Sequence, residues 1–489
     1  MKIDTLKALS PLDGRYSHVN THLRDILSEY GLIKYRIRVE IEWFIHLSKE
    51  KSIPELPALS IKDNTYLTDL INNFSEKDAL EIKKIEKKTN HDVKAVEYYL
   101  KDKFSKSDKL TKYLEFIHFA CTSEDINNLA YSLMIQDSSN YLLKNNVINI
   151  ERQLRKRARS YANVSMLSRT HGQSATPTTM GKELANTLSR LKKIRESIES
   201  IKLSGKINGA VGNYNAHLVA YPNADWLKIS NKFVLSLGLA WNPYTTQVEP
   251  KDDIAELFLN YVRLNNVLID FSRDVWGYIS LGYFSQNLKK GEVGSSTMPH
   301  KVNPIDFENA EGNLGISNAL LTHISSSVVI SRWQRDLSDS TVMRNISGCF
   351  GHTTIALKSL KKGIDKLQIN KIKIKEDLDT SWEVLTEAIQ TVLRKHLIPN
   401  GYELMKDLSR GKAVNRKDLK NLIDELAITE EDKIILNQAI DNFYNIKDNY
   451  SFLSKKTILL KKLNSERDRN FLVNINSKQK YVLKISNPK

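Results

Sequence analysis

The chain has 489 residues, of which 41% are hydrophobic and 27% are charged, and its formal net charge is +16. This composition excludes an intrinsically disordered protein, which would contain fewer apolar residues, and the length suits two or three domains. No run of about 20 apolar residues occurs, so we predict no membrane-spanning segment.

The positive charge is concentrated at the carboxyl end. Residues 455–489 contain ten Lys or Arg and two Asp or Glu, a net charge of +8. Elsewhere the basic residues are dispersed and not interleaved with aromatic ones, so we predict no nucleic-acid binding. The amino-terminal residues lack the apolar core of a signal peptide, and Cys121 and Cys349 form no metal-binding or disulfide pattern. These features predict a cytoplasmic protein.

Hydrophobic periodicity predicts helices along most of the chain, in three domains. Residues 1–112 have the pattern of shorter helices with polar connections, and residues 366–460 have a similar pattern. Between them, residues 113–365 carry long apolar stripes at helical spacing, for example from Ile254 to Tyr278. Several long helices of this kind predict a central bundle, and the low Gly and Pro content agrees with an all-α fold.

The long helices also carry apolar residues outside their main stripes. The helix predicted near residue 260 is apolar on more than one side, because it also carries Leu257, Leu259, Val262 and Val267. A second apolar side must also be buried, which favours packing against other subunits.

The tail at 461–489 has a different pattern. FLVNI and KYVLKI lie on either side of NSKQ, which predicts a β-hairpin.

Four segments between the helices carry side chains suited to chemistry: Thr89–Asp92, Cys121–Asp125, Ser168–Gln173 and Gly291–Pro304. His171 lies in the third, ahead of Pro177, where we predict that a helix starts. The fourth combines flexible glycines with two serine hydroxyls and the donors of Lys301 and Asn303. Each segment also has a structural interpretation as a turn or a helix cap. Because the chain lacks a P-loop, a nucleophile elbow and a zinc-binding helix motif, acid–base chemistry is favoured.

The segment Gly294–Asn303 resembles the signature loop of the fumarase/aspartase superfamily, Gly-Ser-Ser-x-Met-Pro-x-Lys-x-Asn, at every fixed position. Within that superfamily the chain is similar to the bacterial adenylosuccinate lyase branch over residues 1–460. The similarity extends through the following segments: Ser10–Tyr16, Thr89–Val93, Phe119–Asn128, Ser168–Gln173, Gly205–Asn215, Trp241–Pro250 and Arg332–Arg344.

The resemblance implies a β-elimination that releases fumarate from a succinylated purine nucleotide, without a metal or cofactor. By resemblance Ser295 is the general base and His171 the general acid. Glu308 orients His171, and Lys301 stabilises the charge of the intermediate. The implied substrate contacts are Arg15, Tyr16, Asn90, His91, Asp92, Thr122, Ser123, Gln247, Ser296, Val302, Asn303, Asn309, Arg335, Ser340, Thr341 and Arg344. For His91, both substrate binding and assistance in proton transfer remain open.

The resemblance also implies a homotetramer with a core of 20 helices and active sites shared between subunits. The tail at 461–489 is extra to the family.

Two alternative functions remain at this point. A sister enzyme, such as an argininosuccinate lyase or an aspartase, would share the Ser295 loop but would not need Arg15, Arg335 and Arg344 as phosphate-type ligands. A non-catalytic nucleic-acid-binding protein would be expected to have lost Ser295, His171 or Lys301, and all three are present.

Overall fold

The computed structural model describes residues 5–287, 297–411 and 414–441, together with the backbone of three strands between residues 460 and 485. Helices dominate the described residues, which confirms the predicted all-α fold.

The amino-terminal helices are α1 (Thr21–Leu27), α2 (Glu29–Leu47), α3 (Ile61–Asn72), α4 (Glu76–Thr89) and α5 (Asp92–Phe104), with 3-10 turns at Thr5–Lys7 and Leu110–Phe116. The central helices are α6 (Ser123–Leu142), α7 (Ile148–Ser160), α8 (Met180–Ser200), α9 (Asn215–Ala220), α10 (Trp226–Ser236), α11 (Asp252–Ser280), α12 (Ile305–Ser327), α13 (Ser338–Met343) and α14 (Ile346–Lys366). The carboxyl-terminal helices are α15 (Lys371–Asp379), α16 (Thr386–Lys395), α17 (Gly401–Ser409), α18 (Arg416–Glu425) and α19 (Glu430–Asp441), with a 3-10 turn at Trp382–Leu385.

The strands are short: β1 (Ser165–Thr170), β2 (Gln173–Thr179), β3 (Ser204–Gly205), β4 (Ala240–Trp241), β5 (Phe284–Gln286), β6 (Leu367–Ile369), β7 (Leu460–Leu463), β8 (Arg469–Asn476) and β9 (Gln479–Ile485). β1 and β2 form an antiparallel hairpin, and β7, β8 and β9 form an antiparallel sheet in that order. The pairing of β8 with β9 agrees with the hairpin predicted in the tail, and β7 adds a strand that the sequence did not indicate.

The centre of the bundle is formed by α12, which packs against both α11 and α14. The predicted stripe on α11 is buried from Ile254 to Val275, and the rings of Phe258 and Tyr261 meet Phe350 of α14 edge to face. This packing removes one face of each long helix from water, which is the main source of stability for an amphipathic helix.

The chain divides into two compact units, each built from segments that are distant from one another in sequence. The first comprises Met1–Arg152, Ser189–Leu281 and Gln286–Gln368, and the second comprises Gln153–Leu188, Gly282–Ser285 and Ile369–Lys489. Within the second unit, α16 to α19 share an apolar core that includes Ile389, Leu393, Leu419 and Ile423. The division at residues 112, 365 and 460 stays a prediction.

The helix start predicted at Pro177 is wrong. Pro177 lies in β2, opposite Leu167 of β1, and the helix begins at Met180. Proline lacks an N–H, so it suits a helix start, but it is equally tolerated in a two-stranded ribbon beside a bulge. The register shift between Leu167 and Ser168 supplies that irregularity.

Candidate active site

The amino-terminal end of α6 carries Thr122 and Ser123 and is fixed by Asp125. The backbone N–H of Thr122 donates to Asp125 Oδ2 at 2.8 Å, which closes the first turn. The other oxygen of Asp125 lies 2.9 Å from Lys206 Nζ and accepts from the N–H of Asn208 at 3.0 Å. Asp125 and Lys206 are both fully buried. The predicted Cys121–Asp125 segment is therefore anchored to residues 206–208.

Arg335 lies beside the same helix end. Its Nη1 is 2.9 Å from Glu124 Oε2, and its Nη2 donates to Ser340 Oγ at 3.3 Å. The backbone N–H of Gln247 donates to the carbonyl of Gln334 at 3.2 Å. Four of the predicted substrate contacts, Ser123, Gln247, Arg335 and Ser340, are thereby brought into neighbouring positions within the first unit.

Arg344 and Asp92 form a second ionic group in the first unit. Arg344 lies 3.2 Å from Asp92 Oδ2 and 2.9 Å from Glu29 Oε2. The buried Arg36 approaches Asp92 Oδ2 at 2.7 Å. Burial opposes ionisation of Asp92, but the charges of Arg36 and Arg344 outweigh it and lower the pKa of this carboxyl. Asp92 is therefore held as an anion beside Arg344, which is itself predicted to bind an anionic group of the substrate.

The segment before Asp92 is shaped by two caps. Asn90 ends α4 in the left-handed conformation, with φ of 51°. His91 precedes α5, and its Nδ1 accepts from the N–H of Lys94 at 3.2 Å. About half of the His91 side chain is exposed to solvent. The contact with Lys94 fixes Nδ1 as an acceptor and leaves the imidazole accessible.

Tyr16 and Asn309 meet in another part of the first unit. Asn309 Nδ2 donates to the Tyr16 hydroxyl at 2.9 Å, and Arg15 lies over the Tyr16 ring at 5.9 Å. Arg15 and Tyr16 line a cavity of about 570 Å³ with the basic side chains of Lys358 and Lys362. Asp306 also lines the cavity and lies 3.4 Å from Lys362 Nζ, so the lining carries more positive than negative side chains.

The signature loop is described only from Thr297 onward; Ser295 and Ser296 lie outside the described residues. Lys301 is exposed, and the carbonyl of Val302 accepts from Gln286 Nε2 at 3.1 Å. Asn303 precedes α12, whose first turn carries Glu308. The indole N–H of Trp276 donates to Glu308 Oε1 at 3.3 Å.

His171 lies at the tip of the β1–β2 hairpin in the second unit, as the loop prediction required. His171 and Gly172 both have positive φ, 52° and 75°, between the paired residues Thr170 and Gln173. Two left-handed residues define the tight turn that suits a twisted hairpin. The imidazole is exposed, while Arg169 at the end of β1 is tied to Asp377 at 3.3 Å.

Sequence reasoning missed the ionic partners of these residues. Glu124 and Asp339 flank predicted contacts, and Arg36, Lys206 and Lys251 are buried cations that hold the carboxylates in place. In a sequence with helical periodicity, these charged residues cannot be distinguished from ordinary surface residues or helix caps. The only signal was that Glu124, Asp339, Lys206 and Lys251 lie within or next to predicted segments, and Arg36 gave none.

Among the described residues, no cluster of His, Cys, Asp and Glu has the arrangement needed to hold a metal ion. Of the helices in the described part of the chain, none combines the length and the apolar character needed to span a membrane.

Two family models match the chain. Residues 14–316 match a lyase family, and residues 331–444 match the carboxyl-terminal domain of adenylosuccinate lyases. Relatives named adenylosuccinate lyase from Legionella pneumophila (strain Corby) and Escherichia coli (strain K12) are 53% and 52% identical over 444 and 433 residues. These alignments cover 91% and 88% of this chain, and 97% and 95% of the relatives.

Solved structures of more distant proteins share the fold. A fumarate lyase from Mesorhizobium sp. BNC1 matches with a TM-score of 0.69 at 16% identity, covering 88% of this chain and 96% of its own. A 3-carboxy-cis,cis-muconate lactonizing enzyme from Pseudomonas putida matches with a TM-score of 0.67 at 18% identity, covering 88% and 94%.

Proposed function

The chain belongs to the adenylosuccinate lyase family, and from this premise we propose that it eliminates fumarate from two succinylated purine nucleotides. Adenylosuccinate would give AMP, and the succinylated aminoimidazole carboxamide ribotide would give AICAR. The chain is accordingly a carbon–nitrogen lyase acting on a small purine nucleotide. The observation that carries this conclusion is the identity of 53% over 91% of the chain to a relative of that name, which favours it over the sister lyases.

In the proposed mechanism Ser295 removes a proton from the carbon next to a succinyl carboxylate, and His171 protonates the departing nitrogen. A serine hydroxyl is a weak base, so it must be activated in a closed and positively charged site. Lys301 and Asn303 would stabilise the extra negative charge of the intermediate. The exposure of His171 at a hairpin tip supports its role, because a proton donor must reach the substrate. Glu308 would orient it as carboxylates orient imidazoles elsewhere.

The substrate carries two carboxylates and a phosphate, and the proposed binding residues match that charge. Arg335 and Arg344 offer guanidinium groups, whose planar donors suit both kinds of anion. Ser340 lies 3.3 Å from Arg335, so its hydroxyl is placed to add a donor. Arg15 would contribute a further guanidinium group and Tyr16 a hydroxyl donor, both from the basic cavity near Lys358.

We also propose a homotetramer in the cytoplasm, with each active site built from several subunits. Apolar side chains on the central helices remain exposed in a single chain, including Leu259 at 48%, Trp276 at 51% and Ile316 at 51%. Leu257 and Val267 are buried within the chain itself. The exposed residues on α11 and α12 support the expected packing of these helices against other subunits.

The direct test is to incubate the purified protein with adenylosuccinate and to measure fumarate by proton NMR while the purine absorbance band changes. Argininosuccinate serves as the comparison substrate. We expect fumarate release from adenylosuccinate and not from argininosuccinate. Ser295→Ala and His171→Ala should each lower kcat by about 10²-fold or more, while the helical circular-dichroism signal stays unchanged. Release from argininosuccinate alone would overturn the proposed function, and near-normal kcat in either variant would remove that residue from the mechanism.

A further inference from the structure

Lys251 is a buried cation that the proposed mechanism does not use. It precedes α11 with φ of 63°, and its side chain is only 3% exposed. Its Nζ lies 2.9 Å from Asp339 Oδ2 and 3.3 Å from Glu124 Oε1. The carbonyl of Glu249 accepts a further hydrogen bond from it at 3.2 Å.

Both carboxylates that contact Lys251 also face Arg335. Arg335 Nη1 lies 2.9 Å from Glu124 Oε2 and 3.6 Å from Asp339 Oδ2. Two carboxylates therefore share two cations, and these four charges balance. The buried Glu249 carboxyl accepts from the backbone N–H of Lys251 and makes a smaller negative contribution to it, and burial raises the pKa of that carboxyl. Because Glu124 and Asp339 are nearly fully buried, an imbalance among these charges would be only weakly screened by solvent.

The ammonium of Lys251 carries the charge that this balance requires. Burial favours the neutral amine, but the charges of Glu124 and Asp339 outweigh burial and raise the pKa of Lys251.

The same cluster joins three segments of predicted substrate contacts. Glu124 directly follows Ser123, Asp339 directly precedes Ser340, and Lys251 lies four residues after Gln247. A single buried ammonium thus holds together segments that are far apart in sequence.

We propose that Lys251 is a positioning residue for the anionic end of the substrate. By neutralising Glu124 and Asp339, it leaves the positive charge of Arg335 available for a phosphate or carboxylate, and it fixes the Ser123 and Ser340 segments beside that guanidinium. Lys251 is too deeply buried to bind the substrate itself. The inference rests on the proposed function, in which Arg335 binds an anionic group of the nucleotide.

Removing the charge should weaken substrate binding more than chemistry. In Lys251→Met, two carboxylates face Arg335 alone, so we expect KM for adenylosuccinate and Kd for AMP to rise about tenfold or more. The base and the acid are not part of the cluster, so kcat should fall less than about threefold. Lys251→Arg should keep both binding constants within about threefold of wild type, because it keeps the charge.

The decisive variant is Lys251→Met combined with Asp339→Asn. It removes one negative charge along with the positive one, so KM and the AMP Kd should return at least about threefold toward wild type. A loss of packing alone would not be repaired by a second substitution. Lys361→Met, which removes an exposed lysine from its ion pair with Asp365, is the matched control and should leave both constants unchanged.

Steady-state kinetics and calorimetric titration with AMP on the purified full-length protein provide the readout. Wild-type turnover of adenylosuccinate tests the proposed function separately, and the variants are judged relative to it. A Lys251→Met KM within twofold of wild type, or a double variant no better than the single one, overturns the inference. If Lys251→Met does not fold, Asp339→Asn is compared with the double variant. Removing Lys251 on that background should then weaken AMP binding about threefold, and equal binding overturns the inference.

Discussion

Asp125 and Lys206 show how much of the candidate site depends on single buried charges. Both side chains are fully buried and lie 2.9 Å apart, and Asp125 also accepts from the backbone of Thr122 and Asn208. A charge that loses its partner in such a place cannot be rehydrated without local unfolding.

We therefore expect Lys206→Met to lower the free energy of unfolding by about 3–5 kcal/mol, measured by urea denaturation. The matched control is Lys192→Met, which removes a half-exposed lysine 3.6 Å from Glu196. Such surface pairs contribute about 0–1 kcal/mol. Similar losses in the two variants would show that the buried pair contributes no more than a surface pair.

We expect His118 to make the stability of the first unit depend on pH. Its Nδ1 lies 2.6 Å from Oε1 of the fully buried Glu40, and the His118 side chain itself is partly buried. Burial opposes protonation, but the charge of Glu40 outweighs it, with smaller contributions from Glu97 and Asp125, and raises the pKa of His118 above 6.5. Because folding raises the pKa of His118, its protonated form stabilises the folded state. This contribution to the free energy of unfolding is fully present below pH 6.5 and is lost as pH rises through the pKa of His118 in the folded protein.

The prediction is that the urea midpoint of the wild type falls as pH rises above about 6.5, and that His118→Gln lacks this fall. His323→Gln, which changes an exposed histidine on α12, serves as the control and should retain it. Identical pH profiles for His118→Gln and wild type would show that the His118–Glu40 pair does not link stability to pH.

At the scale of elements, the β1–β2 hairpin is the feature that presents His171. Its turn requires positive φ at two successive residues, and Gly172 supplies one of them without strain. A methyl group built on Gly172 meets no atom within 4 Å, so a substitution acts through backbone strain and not through a clash.

We expect Gly172→Ala to cost about 1–2 kcal/mol of local strain and to lower kcat several-fold, because the turn that aims the proposed acid would shift. Gly238→Ala is a close control, since Gly238 also has positive φ and open surroundings but lies between α10 and β4. It should suffer similar strain and keep its kcat. Equal kcat values for the two variants would show that the geometry of the hairpin turn does not control the rate.

At the scale of the whole molecule, the proposed sharing of active sites between subunits can be tested by mixing. Ser295→Ala and His171→Ala subunits should each be inactive alone. If a site takes these residues from different chains, random hybrid tetramers should recover roughly a quarter of the wild-type sites. Activity is measured after subunit exchange has been confirmed by native mass spectrometry. A fully exchanged mixture that stays inactive would mean that both residues come from one chain.

The sequence by itself determined the all-α class, the apolar stripe buried on α11 and the hairpin of the tail, because each depends on residues close together in the chain. It also indicated the superfamily through the contiguous signature at Gly294–Asn303, and the family through further contiguous segments such as Ser10–Tyr16 and Arg332–Arg344. It misplaced the helix start at Pro177, where a paired strand overrode a local preference. Only the tertiary structure revealed that Glu124 faces both Arg335 and Lys251, and with it the role we assign to Lys251. Lys251 meets Glu124 and Asp339 across 127 and 88 residues of sequence, and no local pattern encodes which of these charges are buried or which charges they meet.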